Sequence, residues 1–375
     1  MIYLDYAAHT PADEAVLETY VQVSRQYIAN PNSPYLPGQT AKARMDEALQ
    51  HIASLLHVKA EEIIFTSGAT ESNNLAIKGV TEKYKKYGRH IISTPLEHSS
   101  VNGPLAYLKQ QGFEIDDLEL LPDGRVDLDH LKSLLRTDTI LVCVCWADSE
   151  IGLEQPVGEI AGLLADRPHC FFHTDATQAM GKIPVNFDGV DLASFAPHKF
   201  YGLCGSGILI RKENVMLEPQ MHGGVSTTPW RSGTPALAMA AATEKALELA
   251  LAELEIRHKY VSTLNHQLIS ALSGISGIRI NSTAASLPHI VNISLSGIRS
   301  ESVQAGLAEQ DIFVATKSAC CAPGTVSRPV YALTHDKKAA LSTLRISLSH
   351  LTTATDIDAF SECLKEILSM NRGNL

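Results

Sequence analysis

The chain has 375 residues, 45% of them hydrophobic and 19% charged, with a formal net charge of −10 and no block of like charge. That composition supports a large core, in two domains or in one large domain with a smaller companion. It argues against a basic nucleic-acid-binding face, so no direct nucleic-acid partner is expected. The opening MIYLDYAAHTP lacks the basic and then apolar profile of a signal peptide. The longest apolar run, Ile140 to Ala147, is too short to span a bilayer, so no membrane partner is expected. Seven cysteines, an odd number, point to free thiols in a reducing, cytoplasmic compartment. Cys143 and Cys145, inside the apolar run, read as packing residues. No two His or Cys pairs have zinc-site spacing, so no metal is expected.

Along the chain, apolar β-rich stretches alternate with helical ones. EEIIFTS, RHIISTP, TILVCVCWA, CFFHTDA, LASFAPH and GSGILIRK read as strands, with AVLETYVQVSRQYI, NLAIKGVTEKYKKYG and VGEIAGLLADR as helices. Repeated strand then helix predicts an α/β fold with a mostly parallel sheet covered on both faces. A long Ala-, Leu- and Glu-rich helical region runs from Pro235 to Ser273. After it, GIRINS, HIVNISL, DIFVAT and TLRISLS with two further helical stretches predict a compact α+β unit. The expected division is 15–250 as the large α/β domain, and 1–14 with 251–375 as the small α+β domain.

Three stretches of the large domain carry possible chemistry. Ser67-Gly68-Ala69-Thr70 joins a strand to a helix, where free amides and the helix dipole favour an anion such as phosphate. The same residues also suit an ordinary capped helix. Asp175 ends an apolar run, a position where α/β folds place functional groups, and Gln178 follows it. Taken alone, a strand-end Asp there reads more simply as a solvated loop carboxylate. His198-Lys199 precedes a glycine-rich turn, and a lysine so flanked is a candidate for a desolvated amine able to form an imine. Taken together, an anion cradle, an acid for a ring nitrogen and an imine-forming lysine are what pyridoxal phosphate needs.

With these residues in place, the chain resembles the cysteine desulfurases of the iron–sulfur-assembly kind, in the class V aminotransferase superfamily and of pyridoxal-phosphate fold type I. YLDYAAHTP, NPNSPYLPG, FTSGATESNNLAIKG, EHSSV, SEIGLEQPV, HTDATQAMGKIPV, PHKFYG, MHGG, RSGTPA, KSACCA and LRISLS carry the resemblance in order, nearly end to end. It implies that Lys199 holds the cofactor as an imine, with Asp175 on the ring nitrogen and Gln178 near the ring hydroxyl. His98 would stack on the ring and assist proton transfer. Ala69, Thr70 and His198 would hold the phosphate, with Thr234 reaching across from the other subunit of a homodimer. Asn30 and Arg345 would bind the substrate carboxylate, a task suited to the bidentate donor fork of Arg.

The resemblance also implies that Cys320, in Ser318-Ala319-Cys320, is the nucleophile. It would take sulfur from L-cysteine, leaving L-alanine and an enzyme persulfide destined for a sulfur-acceptor protein. The thiolate is the reactive form. CCAPGTVSRP, with Pro323, Gly324 and Pro329, reads as an exposed, adaptable loop able to carry that thiol, and Cys321 reads as a bystander. Several positions depart from the family pattern: Tyr6, His9, Tyr35, Ser149 in place of an amide near the ring hydroxyl, Ala196 in place of a phosphate-binding hydroxyl, and Val225. An active desulfurase specialised for one acceptor, for example in tRNA thiolation, fits that drift. Another pyridoxal-phosphate enzyme of the superfamily, such as a selenocysteine lyase, or a non-catalytic sulfur-transfer scaffold are the alternatives.

Overall fold

The computed structural model describes residues 1–224, 228–317 and 324–373. Its strands in chain order are β1 (Ile2–Tyr3), β2 (Ile63–Thr66), β3 (His90–Ser93), β4 (Glu114–Asp117), β5 (Thr139–Cys143) and β6 (Phe171–Asp175). They continue as β7 (Leu192–Phe195), β8 (Gly207–Arg211), β9 (Ile278–Ile280), β10 (Ile290–Leu295), β11 (Ile312–Phe313) and β12 (Thr343–Ser347). Seven form the central sheet in the order β2-β8-β7-β6-β5-β3-β4. β8 runs antiparallel to both neighbours, and the other pairings are parallel. The parallel run is the α/β sheet that strand–helix alternation predicts, since each parallel crossover needs a covering helix.

Successive strand residues face opposite sides of this sheet and enter different cores. Ile63, Val142 and Phe172 pack into one cluster with helices Leu36–Leu56 and Leu237–Ala252. Ile64, Leu141 and Phe171 pack into another with helices Ala69–Tyr84 and Ser99–Gln110. A separate three-stranded sheet, β12-β10-β9, supports a third cluster with helices Leu254–Ser273, Ser300–Glu309 and Ala354–Gly373. Leu4 joins that third cluster, and β1 pairs with β11. The first residues of the chain therefore lie against its last third.

Three local readings differ from the sequence expectation. β4, Glu-Ile-Asp-Asp, has no apolar run to announce it. It is an edge strand whose charges can stay in water. The long helical region is two helices that meet at Glu253, whose backbone leaves the helical region at φ −104° and ψ 6°. Pro329 does not belong to an exposed loop. It is buried in the first turn of helix Arg328–Thr334, where proline's missing N–H costs nothing, and Ser327 caps that helix. Cys320, Cys321, Pro323 and Val225 lie outside the described residues. Among the described residues, no helix is long and apolar enough to cross a membrane.

Candidate active site

The carboxyl ends of β2, β3, β5, β6 and β7 converge on a cavity of about 360 Å³. Each strand hands over to a loop whose local chemistry presents one group. β6 ends on Asp175. After β3, His98 caps helix Ser99–Gln110, its ring accepting from the Ser100 amide. After β7, a single 3₁₀ turn, Pro197–Lys199, projects His198 and Lys199. After β2, Gly68 leads into helix Ala69–Tyr84 without a side-chain cap.

Nine sequence-predicted residues meet on this cavity wall. Ala69, Thr70, His98 and Ser149 line it, together with Asp175, Gln178 and His198. Lys199 and Arg345 complete the set. Two predicted residues do not join them. Asn30 and Thr234 are exposed on the wall of a separate, open cavity of about 640 Å³. The Asn30 side chain accepts from the Asn32 amide at 2.9 Å, a local turn bond. Within one chain, then, Asn30 does not line the 360 Å³ cavity. The reason is position: its turn lies beside helix Leu237–Ala252 and not at the strand ends. Of the departing residues, Ala196 is fully buried, Tyr35 starts a helix and is mostly exposed, and Tyr6 packs edge-on against Tyr3.

Asp175 is anchored from below. Asn73 Nδ2 donates to its Oδ2 at 2.8 Å and the Thr177 amide donates to its Oδ1 at 3.0 Å. The same Nδ2 donates to Ser100 Oγ at 2.8 Å, which leaves the serine hydrogen for His98 Nδ1, also at 2.8 Å. His98 Nδ1 is therefore an acceptor, and its proton sits on Nε2. Burial lowers the His98 pKa, keeping the ring neutral, with the Asp175 charge opposing that shift. Asn73 Oδ1 is satisfied by His173 Nε2 at 3.1 Å, and burial holds His173 down at about 4. Sequence reading missed Asn73 and Ser100. An asparagine on the buried face of a helix, in line with Ala76, Ile77 and Val80, is the signal that could have found it.

Lys199 Nζ donates to the carbonyls of Ala7 at 2.8 Å and Ala8 at 2.5 Å. Gln178 Nε2 shares the Ala7 carbonyl at 2.9 Å. Arg345 is almost wholly buried, with Nη2 on Asp5 Oδ1 at 2.6 Å and Nη1 on the Ser149 carbonyl at 2.7 Å. Its Nε has no partner among the described residues. Asp5, Ala7 and Ala8 thus bind three site residues through the chain's first strand and turn, a role their residue types do not advertise. Behind the wall, Glu97 is buried, its Oε1 accepting from the Cys145 amide at 2.5 Å. Glu97 Oε2 has no partner among the described residues. Burial, and then the Asp175 charge, push its carboxyl up to about 8.

The donor set fits pyridoxal phosphate. The first amides of helix Ala69–Tyr84 have no intrahelical acceptor, and His198 Nδ1 is a buried polar atom with no partner among the described residues. Burial, with Lys199 next, holds His198 down at about 4, so its ring is neutral and can donate to phosphate. A carboxylate, an amide and an amine then stand on the same wall.

The family model described as Aminotransferase class-V matches residues 2–360. The chain belongs to the class V aminotransferase family. Among curated proteins, this class V chain is 38% identical to a NifS/IcsS protein homolog of Lactobacillus delbrueckii subsp. bulgaricus, over 98% of this chain and 97% of that one. It is 36% identical to the cysteine desulfurase IscS of Dictyoglomus turgidum, over 99% and 95%. Among solved structures, one titled a NifS-like protein superposes with a TM-score of 0.92 at 34% identity, covering 98% of this chain and 99% of that one.

Proposed function

We propose that this chain is a pyridoxal-phosphate-dependent cysteine desulfurase that converts L-cysteine to L-alanine and leaves the sulfur as a persulfide on Cys320. The observation that carries this reading is the meeting of Lys199, Asp175, His98 and Arg345 on one cavity wall, in a chain whose relatives are named for that activity. When bound, the cofactor supplies an electron sink for charge developing at the substrate's Cα. Asp175, fixed by Asn73 and Thr177, would pair with the cofactor's ring nitrogen and keep it protonated. Lys199 Nζ would tether the cofactor and, as the free amine, would take the Cα proton; the Ala7 and Ala8 carbonyls would steady it as the ammonium. His98, which lines the cavity with its proton on Nε2, would assist proton transfer. Arg345, held by Asp5 and Ser149, orients the substrate carboxylate.

The Cys320 thiolate attacks the substrate sulfur. A sulfur–sulfur bond forms, and the pair from the broken Cβ–S bond stays with carbon, which takes a proton and becomes the methyl of alanine. The persulfide then passes to a thiol of an acceptor protein in the cytoplasm. In this reading the chain is a homodimer with Thr234 completing the neighbour's phosphate site, and residues 251–375 with 1–14 form the small domain that carries Cys320.

The test is alanine release from L-cysteine by cofactor-loaded protein beside Cys320→Ala, with L-selenocysteine as a second substrate. Release that collapses in the variant supports the proposal. Alanine from neither protein refutes it, and release from selenocysteine alone points to a lyase.

A further inference from the structure

The turn after β6 carries a second buried lysine. Lys182 is 8% exposed, and its Nζ donates to Gln178 Oε1 at 2.6 Å. The turn lies flush beneath the Lys199 turn because residue 181 is glycine. Gly181 sits at φ +71°, and a Cβ there would come within 2.7 Å of Phe200 Cβ and 3.1 Å of Ala250 Cβ. Between the two lysines lies an enclosed space of about 20 Å³, room for a single water. Its charged and titratable walls are Lys182, Lys199, Arg257, His289, His350, Tyr6 and Tyr201, with no carboxylate among them.

This arrangement fixes the Gln178 amide. Its Oε1 faces a donor, Lys182, and its Nε2 faces an acceptor, the Ala7 carbonyl. The reversed amide would set N–H against ammonium and oxygen against carbonyl oxygen, losing both bonds. Only the second Nε2 hydrogen is then left for the cavity that Gln178 lines. We propose that Lys182 is a positioning residue that locks the Gln178 amide with its N–H toward the cofactor cavity, so that Gln178 can serve only a hydrogen-bond acceptor there, such as the cofactor's ring oxygen. The inference rests on the cofactor assignment made above. It gives a reason for a buried lysine whose ammonium donates to Gln178. Burial, and then the Lys199 and Arg345 charges, hold Lys182 down at about 7, so part of its population remains a cation at neutral pH.

The test uses full-length, cofactor-loaded protein and three readouts: the cofactor dissociation constant, the pH midpoint of the bound cofactor's visible absorbance, and KM against kcat. Lys182→Met is expected to weaken cofactor binding about five- to tenfold, the worth of one hydrogen bond. It should raise the absorbance midpoint, because a donor to the ring oxygen and a nearby positive charge are both lost. KM for L-cysteine should change less than kcat. In a double-mutant cycle with Gln178→Leu, the two losses should not add, since Lys182 acts through Gln178. If Lys182→Met does not accumulate folded, Lys182→Gln, which keeps an N–H for Gln178 Oε1, should bind cofactor close to the wild type. An unchanged dissociation constant and midpoint in Lys182→Met, or additive losses in the cycle, would overturn the inference alone. A wild-type protein that binds no cofactor would overturn the reading beneath it as well.

Discussion

Glu97→Gln should make the protein more stable at alkaline pH, and by less at acid pH. The Glu97 carboxyl is buried with one oxygen on the Cys145 amide and the other without a partner among the described residues, and it is held at about 8 against an ordinary 4.5. A carboxyl raised in the fold is penalised when charged, so stability falls as pH rises from 4.5 and stops falling above about 8. Each pH unit inside that window costs about 1.4 kcal/mol, so going from pH 5.5 to 8 costs the wild type about 3 kcal/mol. Glutamine imitates the protonated acid, keeping an oxygen for the Cys145 amide, and does not titrate. With unfolding entropy near 2.1 cal/mol/K per residue, a chain of 375 residues loses roughly 4 °C of Tm for that energy. Thermal unfolding of both proteins at saturating cofactor, at pH 5.5 and pH 8, makes the comparison, because pH effects common to the two cancel. A variant ahead by about 2 °C at pH 5.5 and by about 6 °C at pH 8, a lead that grows by about 4 °C, is expected. Tm values that fall in parallel would refute the argument, since Glu97 would then be ionised throughout or paired in a way that offsets its burial.

Asn73→Ala strips partners from Asp175 Oδ2, Ser100 and His173 together. It should cost roughly 2–5 kcal/mol in thermal or urea unfolding and speed loss of cofactor on dilution; a stable variant with intact retention would show that water replaces the amide. Arg345→Lys removes a planar fork held between Asp5 and the Ser149 carbonyl. Steady-state kinetics should show KM for L-cysteine rising roughly tenfold or more, with cofactor absorbance unchanged; an unaltered KM would move the carboxylate site elsewhere. Gly207→Ala would place a Cβ 2.5 Å from the Gly68 carbonyl carbon and 2.7 Å from Thr66 Oγ1. The loop before helix Ala69–Tyr84 would have to shift, at about 1–3 kcal/mol, and phosphate competition assays should show weaker binding of the cofactor.

Much of the fold follows from local pattern. Apolar runs bounded by turn residues mark six of the seven central strands, and only β4 escapes, because Glu-Ile-Asp-Asp at a sheet edge need not be apolar. The strand-end positions of Asp175 and Lys199 are equally legible, since parallel sheets collect functional groups at one edge. What a string of letters cannot carry is the partner each group finds across long separations. Asp5 meets Arg345, Ala7 meets both Lys199 and Gln178, and Asn73 meets Asp175, pairs separated by about 100 to 340 positions. Two of those contacts use backbone carbonyls of alanine, for which residue type holds no information at all.

The sequence by itself pointed to a class of chemistry: candidates for an anion cradle, an acid, an amine and a thiol, in the order that the family resemblance implies. Tertiary structure alone decided the protonation states and the orientations. Burial sets whether Glu97, His98 and Lys182 carry charge. Asn73, by donating to Ser100, sets how the His98 ring bonds, and the Ala7 carbonyl with Lys182 sets which way the Gln178 amide faces. Charge in a low-dielectric interior depends on what surrounds a group in space, and that neighbourhood exists only once the chain has folded.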